Sequence, residues 1–301
     1  MKLIVLPDDG MTPIVAAIKK AKTSIDTTIF RFDRMEIEKA LAGAVGRGVR
    51  VRALIAHTNR GGEKLLRKLE LRLLGAGVIV ARSADDLVRY HAKFMVIDGR
   101  TLYVMLFNYT ALDARSRSFC VVTTHRGTVA EATRLFEADS LRQPCDPPLQ
   151  QLVVSPDNAR KRLADFVKGA KKSLWMYDPK LSDASMIRLL EDRQKKDVDI
   201  RVIGSIGKRA KQFNATAPKT FRLHARVIIR DGKEAFFGSQ SLRTAELDAR
   251  REVGVITRNP AILKVVTTVF EKDWTDAVGK VAEPAGDSDE SEREEAVAAT
   301  A

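Results

Sequence analysis

His91-Ala92-Lys93-Phe94-Met95-Val96-Ile97-Asp98-Gly99-Arg100 and, 133 residues later, His224-Ala225-Arg226-Val227-Ile228-Ile229-Arg230-Asp231-Gly232-Lys233 are the two stretches from which the chain is read. Both run His-Ala-cation, four mostly apolar residues, then Asp-Gly-cation. An apolar run ending in Asp-Gly is an ordinary strand and hairpin turn. That does not account for a histidine and a cation two residues apart, which alternation sends to one face of an extended chain. The chain has only four histidines, and two of them occupy matching frames. One copy would read as a half-exposed strand; the pair points to function.

Working outward, the rest of the chain also repeats. Leu3-Ile4-Val5-Leu6-Pro7-Asp8 returns as Leu152-Val153-Val154-Ser155-Pro156-Asp157, and Lys22-Thr23-Ser24-Ile25 as Lys171-Lys172-Ser173-Leu174. In the first copy Thr12 reads as a cap and Pro13 as the first helical residue, with Ile14, Ala17, Ile18 and Ala21 on one face. In the second copy Leu163, Phe166, Val167 and Ala170 take that spacing. Strands are expected over 25–32 and 174–177, helices over 36–47 and 185–195, then strands over 49–56 and 198–203. The copies diverge there. The first adds a helix over 63–74 and a strand over 78–80; the second has only the basic loop Gly207–Lys219. Ser118–Thr123 aligns with Glu252–Thr257, and closing helices follow over 128–140 and 261–278, the second capped by Asn259 with Pro260 at its first position.

Alternating strands and helices written twice imply an α/β protein of two pseudo-twofold related repeats. The expected division is residues 1–143, a proline-rich linker 144–150, residues 151–280 and an acidic, disordered tail 281–301. The tail has seven acids against one arginine while the chain as a whole is +13, which leaves +19 on residues 1–280. A body that basic fits an anionic partner, nucleic acid or an acidic membrane surface, and equally fits lysines and arginines that merely solvate helix faces. No run is long enough to span a membrane, the N-terminus lacks a secretory pattern, and Cys120 and Cys145 show no metal or redox spacing. The expectation is a cytoplasmic protein, free or peripheral at the inner face of the membrane.

If both histidines face one cleft, they suit a phosphodiester, which needs a nucleophile on one side and a proton donor on the other. Imidazole fills either role near neutral pH, and unlike surroundings let two copies divide the tasks. Attack by one would form a phospho-histidine. Lys93 and Arg226 would hold the non-bridging oxygens, Arg226 with a planar fork. Four histidines and two cysteines without clustered carboxylates form no convincing metal site, and no cofactor is expected.

The doubled His-x-cation-x4-Asp pattern resembles the phospholipase D superfamily, over residues 1 to about 280. The resemblance implies two mixed sheets flanked by helices with the active site between the repeats. It implies His91 as nucleophile, His224 as general acid, and Lys93, Arg226, Asn108 and Ser241 as phosphate ligands, with Ser239 in support. Glu252 matches the family's histidine-orienting acid; the first repeat has Ser118 there, so that acid is missing or supplied by another residue such as Asp113. Asp98 and Asp231 would hold the loop. The family's Gly-Ser-x-Asn survives as Gly238 and Ser239 with Ser241 for Asn, and as Asn108 preceded by Met105 and Leu106. Those two would narrow the pocket, grease it for an acyl chain, mark a lost activity, or simply pack inward. The expected function is a metal-independent phosphodiesterase or phosphatidyltransferase on phospholipid head groups. The alternatives are a nuclease or phosphodiesterase of nucleic acid, and a non-catalytic binder of nucleic acid or anionic surfaces.

Overall fold

A computed structural model describes residues 1–58, 63–207 and 213–279. Most of the basic loop (208–212) and the acidic tail (281–301) lie outside the described residues. The first repeat comprises β1 (Lys2–Leu6), α1 (Thr12–Lys20), β2 (Ser24–Ile29), α2 (Met35–Gly46), β3 (Arg50–Ile55), α3 (Glu63–Gly75), β4 (Ile79–Arg82), β5 (Arg89–Tyr90), β6 (Phe94–Ile97), β7 (Thr101–Met105), α4 (Ala111–Ala114), β8 (Ser118–Thr123) and α5 (Arg126–Leu141). The second comprises β9 (Leu152–Ser155), α6 (Ala159–Lys168), β10 (Ser173–Leu181), α7 (Ala184–Gln194), β11 (Asp199–Ile206), β12 (Asn214–Thr216), β13 (Arg226–Arg230), β14 (Glu234–Gly238), α8 (Thr244–Asp248), β15 (Arg250–Thr257) and α9 (Pro260–Val278).

The first sheet runs β1-β8-β7-β6-β2-β3-β4. The second runs β12-β11-β10-β13-β14-β15, with β9 antiparallel to β15 as β1 is to β8. In both, the three strands at one end are parallel and the rest, β5 apart, antiparallel, so the sheets are mixed and share one strand order. β5 leaves its own repeat and pairs with the start of β15.

Strand alternation sorts the core. Phe94 and Val96 of β6 join Val227 and Ile229 of β13, with Phe136 of α5 and Phe270 of α9, in one central cluster to which both repeats contribute. Met95 and Ile97 turn the other way and pack with α1 and α2, as Ile228 does with α6 and α7. Each repeat therefore has helices on the outer face of its sheet and shares the inner face with its partner repeat.

The two Asp-Gly pairs have positive φ at both residues (55° and 59°, 54° and 64°), the backbone of a type I′ hairpin. The Asp98 carboxylate accepts from the backbone N–H of Lys22, Thr23 and Ser24 at 2.7–3.1 Å, and Asp231 accepts from those of Lys171, Lys172 and Ser173. Each motif hairpin is thereby tied to the start of its neighbouring strand, β2 or β10.

Two local expectations change. Thr12 is not a cap: α1 begins at Thr12, and Met11 precedes it without a side-chain hydrogen bond. The second repeat has an edge strand, β12, where the sequence shows only a loop, so it matches β4 of the first. Asn259 does cap α9, accepting from Ile262 N at 3.2 Å, and His125 caps α5, accepting from Thr128 N.

Candidate active site

His91 lies in the three residues between β5 and β6, and His224 lies two residues before β13. Both imidazoles line one cleft of about 300 Å³, together with Asn108, Asp113, Arg226 and Glu246. Residues far apart in the chain meet because β6 and β13 occupy the same place in two sheets that share a core.

Each ring is held by a carboxylate of the other repeat. His91 Nδ1 is 2.8 Å from Glu252 Oε2, and His224 Nδ1 is 2.5 Å from Asp113 Oδ1. With Nδ1–H given to a carboxylate, Nε2 becomes the reactive nitrogen. Lys93 Nζ is 2.9 Å from His91 Nε2 and 2.9 Å from the His91 carbonyl, so the two side chains share a face. The Phe30 and His91 rings meet nearly at right angles, centroids 4.7 Å apart.

Burial and nearby cations hold His91 well below its usual range: Lys93, Arg226 and His224 disfavour a charged ring, and Glu246 only partly opposes them. Burial also lowers His224 to about 4, against the pull of Asp113. Burial pushes the Lys93 ammonium down to about 7, against the attraction of Glu252. The two carboxylates differ. Burial raises Glu252. It works the same way on Asp113, but there His224, the Asn108 N–H and Arg222 outweigh it and hold the acid low.

Asn108 reaches the cleft with its Nδ2 on Asp113 Oδ2 (2.8 Å), and its Oδ1 has no partner among the described residues. Arg226 also lines the cleft; its Nε meets Ser241 Oγ at 3.2 Å and its Nη1 has no partner among the described residues. Ser241 is thus behind Arg226, and Ser239 Oγ accepts from Val253 N at 3.1 Å; neither serine lines the cleft. Asp98 and Asp231 stay at their hairpins.

Met105 and Leu106 are fully buried, in the outer and central cores respectively, and do not line the cleft. The difference between Met105 and Gly238 is an exchange of volume between strands. A Cβ on Gly238 or on Gly254 would meet the Phe236 ring at 2.3 or 2.5 Å, so Phe236 fills the space both glycines leave. Gly238 pairs with Gly254 as Met105 pairs with Cys120. In the first repeat those two side chains fill the gap themselves, and Tyr103, at the place of Phe236, is only partly buried.

Several cleft residues lie outside the motifs that the sequence singles out. Arg89 and Arg222 stand two residues before the histidines in both motifs, so the frame extends to Arg-x-His-Ala-cation. Arg222 Nη1 bonds Asp113 Oδ1 at 2.8 Å. Arg31 and Lys180 hold equivalent positions 149 residues apart and both line the cleft, joined by Arg243 and Arg250. Asp113 and Glu246 each fall five residues after Asn108 or Ser241, and each accepts a hydrogen bond from that residue's backbone N–H. The correspondence between the repeats carries that signal beyond the motifs.

A model of the family described as "Cardiolipin synthase, PLD-like domain" matches residues 14–140 and 163–274. A curated relative, mitochondrial cardiolipin hydrolase of Danio rerio, is 30% identical over 122 residues, 40% of this chain and 51% of the relative, so the alignment spans about half the relative's length. Among solved structures, polyphosphate kinase from Porphyromonas gingivalis aligns with TM-score 0.76 and 18% identity over 90% of this chain and 46% of that one. Phosphatidylserine synthase of Haemophilus influenzae aligns with TM-score 0.67 and 10% identity over 93% and 89%. At those identities the likeness is one of fold.

Proposed function

The chain belongs to the phospholipase D-like family of the cardiolipin synthase type, and on that premise we propose a metal-independent phosphodiesterase or phosphatidyltransferase that acts on phospholipid head groups through a phospho-histidine. The observation that carries the reading is a single cleft lined by two imidazoles, each with Nδ1 on a carboxylate of the opposite repeat.

His91 Nε2 attacks phosphorus, the P–N bond forms and the bond to the leaving oxygen breaks. His224 gives its Nε2 proton to that oxygen. A water or an alcohol then loses its proton to His224 and attacks the phospho-histidine, and the P–N bond breaks. Hydrolysis or transfer follows from which acceptor arrives. The neutral state of buried His91 suits the nucleophile. For His224, the negative charge of a bound phosphodiester acts with Asp113 against burial and favours the protonated ring. Arg226 and Asn108 hold the non-bridging oxygens from the cleft wall; Lys93, buried beside His91 Nε2 and not itself part of the wall, supports them from behind that nitrogen, with Ser241 bracing Arg226 and Ser239 the strand behind it. The family's description and the name of the Danio rerio relative favour a lipid substrate.

A second reading, cleavage of nucleic acid, is favoured by the cationic lining of the cleft: Arg31, Arg89, Arg222, Arg243 and Arg250. Vesicles of phosphatidylglycerol carrying labelled phosphate, and a labelled oligonucleotide, distinguish the two. The lipid reading predicts released or exchanged head group, an acid-labile label on His91 after a rapid quench, and full activity in chelator. Cleavage of the oligonucleotide alone, with a steep loss of binding as salt rises, selects the second reading. Binding without turnover of either substrate points to a non-catalytic member of the fold.

A further inference from the structure

The two histidines are also held by their main chains. His91 N donates to the Arg251 carbonyl at 2.8 Å, and His224 N donates to the Arg117 carbonyl at 3.0 Å. In both cases the arginine belongs to the other repeat. These bonds belong to short parallel pairings, Arg89–Tyr90 with Arg250–Arg251 and Leu223 with Arg117. They join one histidine segment to the start of the opposite repeat's strand.

The arginine side chains do not face the cleft. They turn back across the repeat boundary to carboxylates on the two closing helices. Arg117 grips Asp273 of α9 with Nε (2.8 Å) and Nη2 (3.1 Å), and its Nη1 meets Asp8 and the Leu6 carbonyl at 2.9 Å. Arg251 Nη2 lies 3.2 Å from Asp139 of α5, and its Nη1 meets Asp157 (3.0 Å) and the Ser155 carbonyl (3.2 Å). The two sets correspond place for place: Arg117 with Arg251, Asp273 with Asp139, Asp8 with Asp157. Asp139 and Asp273 are both nearly inaccessible to solvent and each also accepts from a tyrosine, Tyr90 at 3.0 Å and Tyr177 at 2.6 Å.

We propose that Arg251 and Arg117 are positioning residues, each setting the place of the other repeat's histidine through its carbonyl while its guanidinium is anchored on Asp139 or Asp273. An ion pair that merely joined the repeats would need no main-chain bond to the histidine segment. Here the same residue makes both, in both repeats, so movement of the anchor moves the ring. Reaction rates are sensitive to such shifts: misplacement by about 1 Å can cost roughly 100-fold. The two latches are not equal. Tyr90, bonded to Asp139, is the residue next to His91, whereas the place next to His224 is Leu223 and the matching tyrosine bond comes from β10. The His91 latch therefore grips its segment twice.

This inference rests on the proposed roles of the two histidines, and its test has one arm that does not. The full chain has four histidines, which makes the imidazole Hε1 resonances assignable with His→Gln variants. Asp139→Asn should shift the His91 resonance and leave His224 in place, and Asp273→Asn should do the reverse. On whichever phosphodiester the wild type turns over, Asp139→Asn should lower kcat about tenfold or more at nearly constant KM. If Asp139→Asn does not fold, Tyr90→Phe removes only the hydroxyl, and a smaller kcat loss, about threefold, with the same selective shift is expected. Folded variants with unchanged kcat, or histidines that shift together or not at all, would overturn the latch. A wild type silent on every substrate defeats the proposed function, and the resonance arm then decides the latch alone.

Discussion

The two repeats share a strand order and a motif, yet they supply their orienting acids from different places. The first repeat sends Asp113, from the short helix α4, to His224; the second sends Glu252, from strand β15, to His91. The equivalents of those acids do other work. Glu246, matching Asp113, pairs with Arg250 at 3.3 Å and stands 3.8 Å from Arg226. Ser118, matching Glu252, donates to the His224 carbonyl at 2.7 Å. A duplicated backbone has thus been given unequal charge. His224 faces a carboxylate held firmly ionised, which favours a protonated ring once phosphate is bound. His91 faces a carboxylate that burial raises, with Lys93 against its other nitrogen, which favours a neutral ring. On the proposed mechanism, unlike surroundings are what would let two like groups act as nucleophile and acid.

The largest test of that inequality is removal of each ring. His91→Gln should lower turnover by about 10⁴-fold or more, since a covalent route is lost entirely. His224→Gln should cost only about 100-fold on a p-nitrophenyl phosphodiester, whose leaving group needs no proton, and far more on an alkyl ester. Equal losses on both substrates would end the division of labour.

Exchange of the acids comes next. Asp113→Asn should weaken turnover by roughly 100-fold, chiefly for poor leaving groups, whereas Glu252→Gln should lower both substrates by a similar factor. Comparison of the two variants on the two esters reads the asymmetry directly.

The third test concerns volume. Leu106→Ala should cost about 2–5 kcal/mol of stability, measured by denaturant unfolding, with kcat per folded molecule preserved. A loss of activity without loss of stability would return Leu106 to the substrate pocket.

The smallest effect is a pH dependence. The folded pKa of His224, about 4, lies below its ordinary 6.5, so between those values the unfolded chain binds more protons. Stability from this group is complete above pH 6.5 and is lost as pH falls through 4, by roughly 3 kcal/mol. Asp139 and Asp178, both raised to about 6 by burial, act in the opposite sense, because the folded state binds more protons there. The difference between wild type and His224→Gln therefore isolates the histidine: the variant's unfolding midpoint should fall less between about pH 7 and about pH 4.5.

Much of this was legible in the residues. Alternation in Phe94–Ile97 and Val227–Ile229 gives strands with two buried faces, and Asp-Gly after each gives the hairpin. The offset of 149 residues pairs Lys22–Ile25 with Lys171–Leu174, and the structure gives both the same place in their sheets. Asp113 was visible only as one substitute among others, since nothing local ties a residue on α4 to a ring 111 residues later. Ser239 and Ser241 hold motif positions, but motif spacing cannot say that their hydroxyls meet Val253 and Arg226. Met105 and Leu106 looked anomalous because a strand's sequence does not record which neighbour supplies the bulk.

Period, turn chemistry and duplication are properties of neighbouring residues, and so the chain alone determined an α/β repeat with two strands each preceded by a histidine. Which carboxylate meets which imidazole, and which arginine carbonyl holds each histidine N–H, depends on the crossing of the two repeats over a shared core. Those contacts join residues more than a hundred positions apart, and only the packed structure decides them.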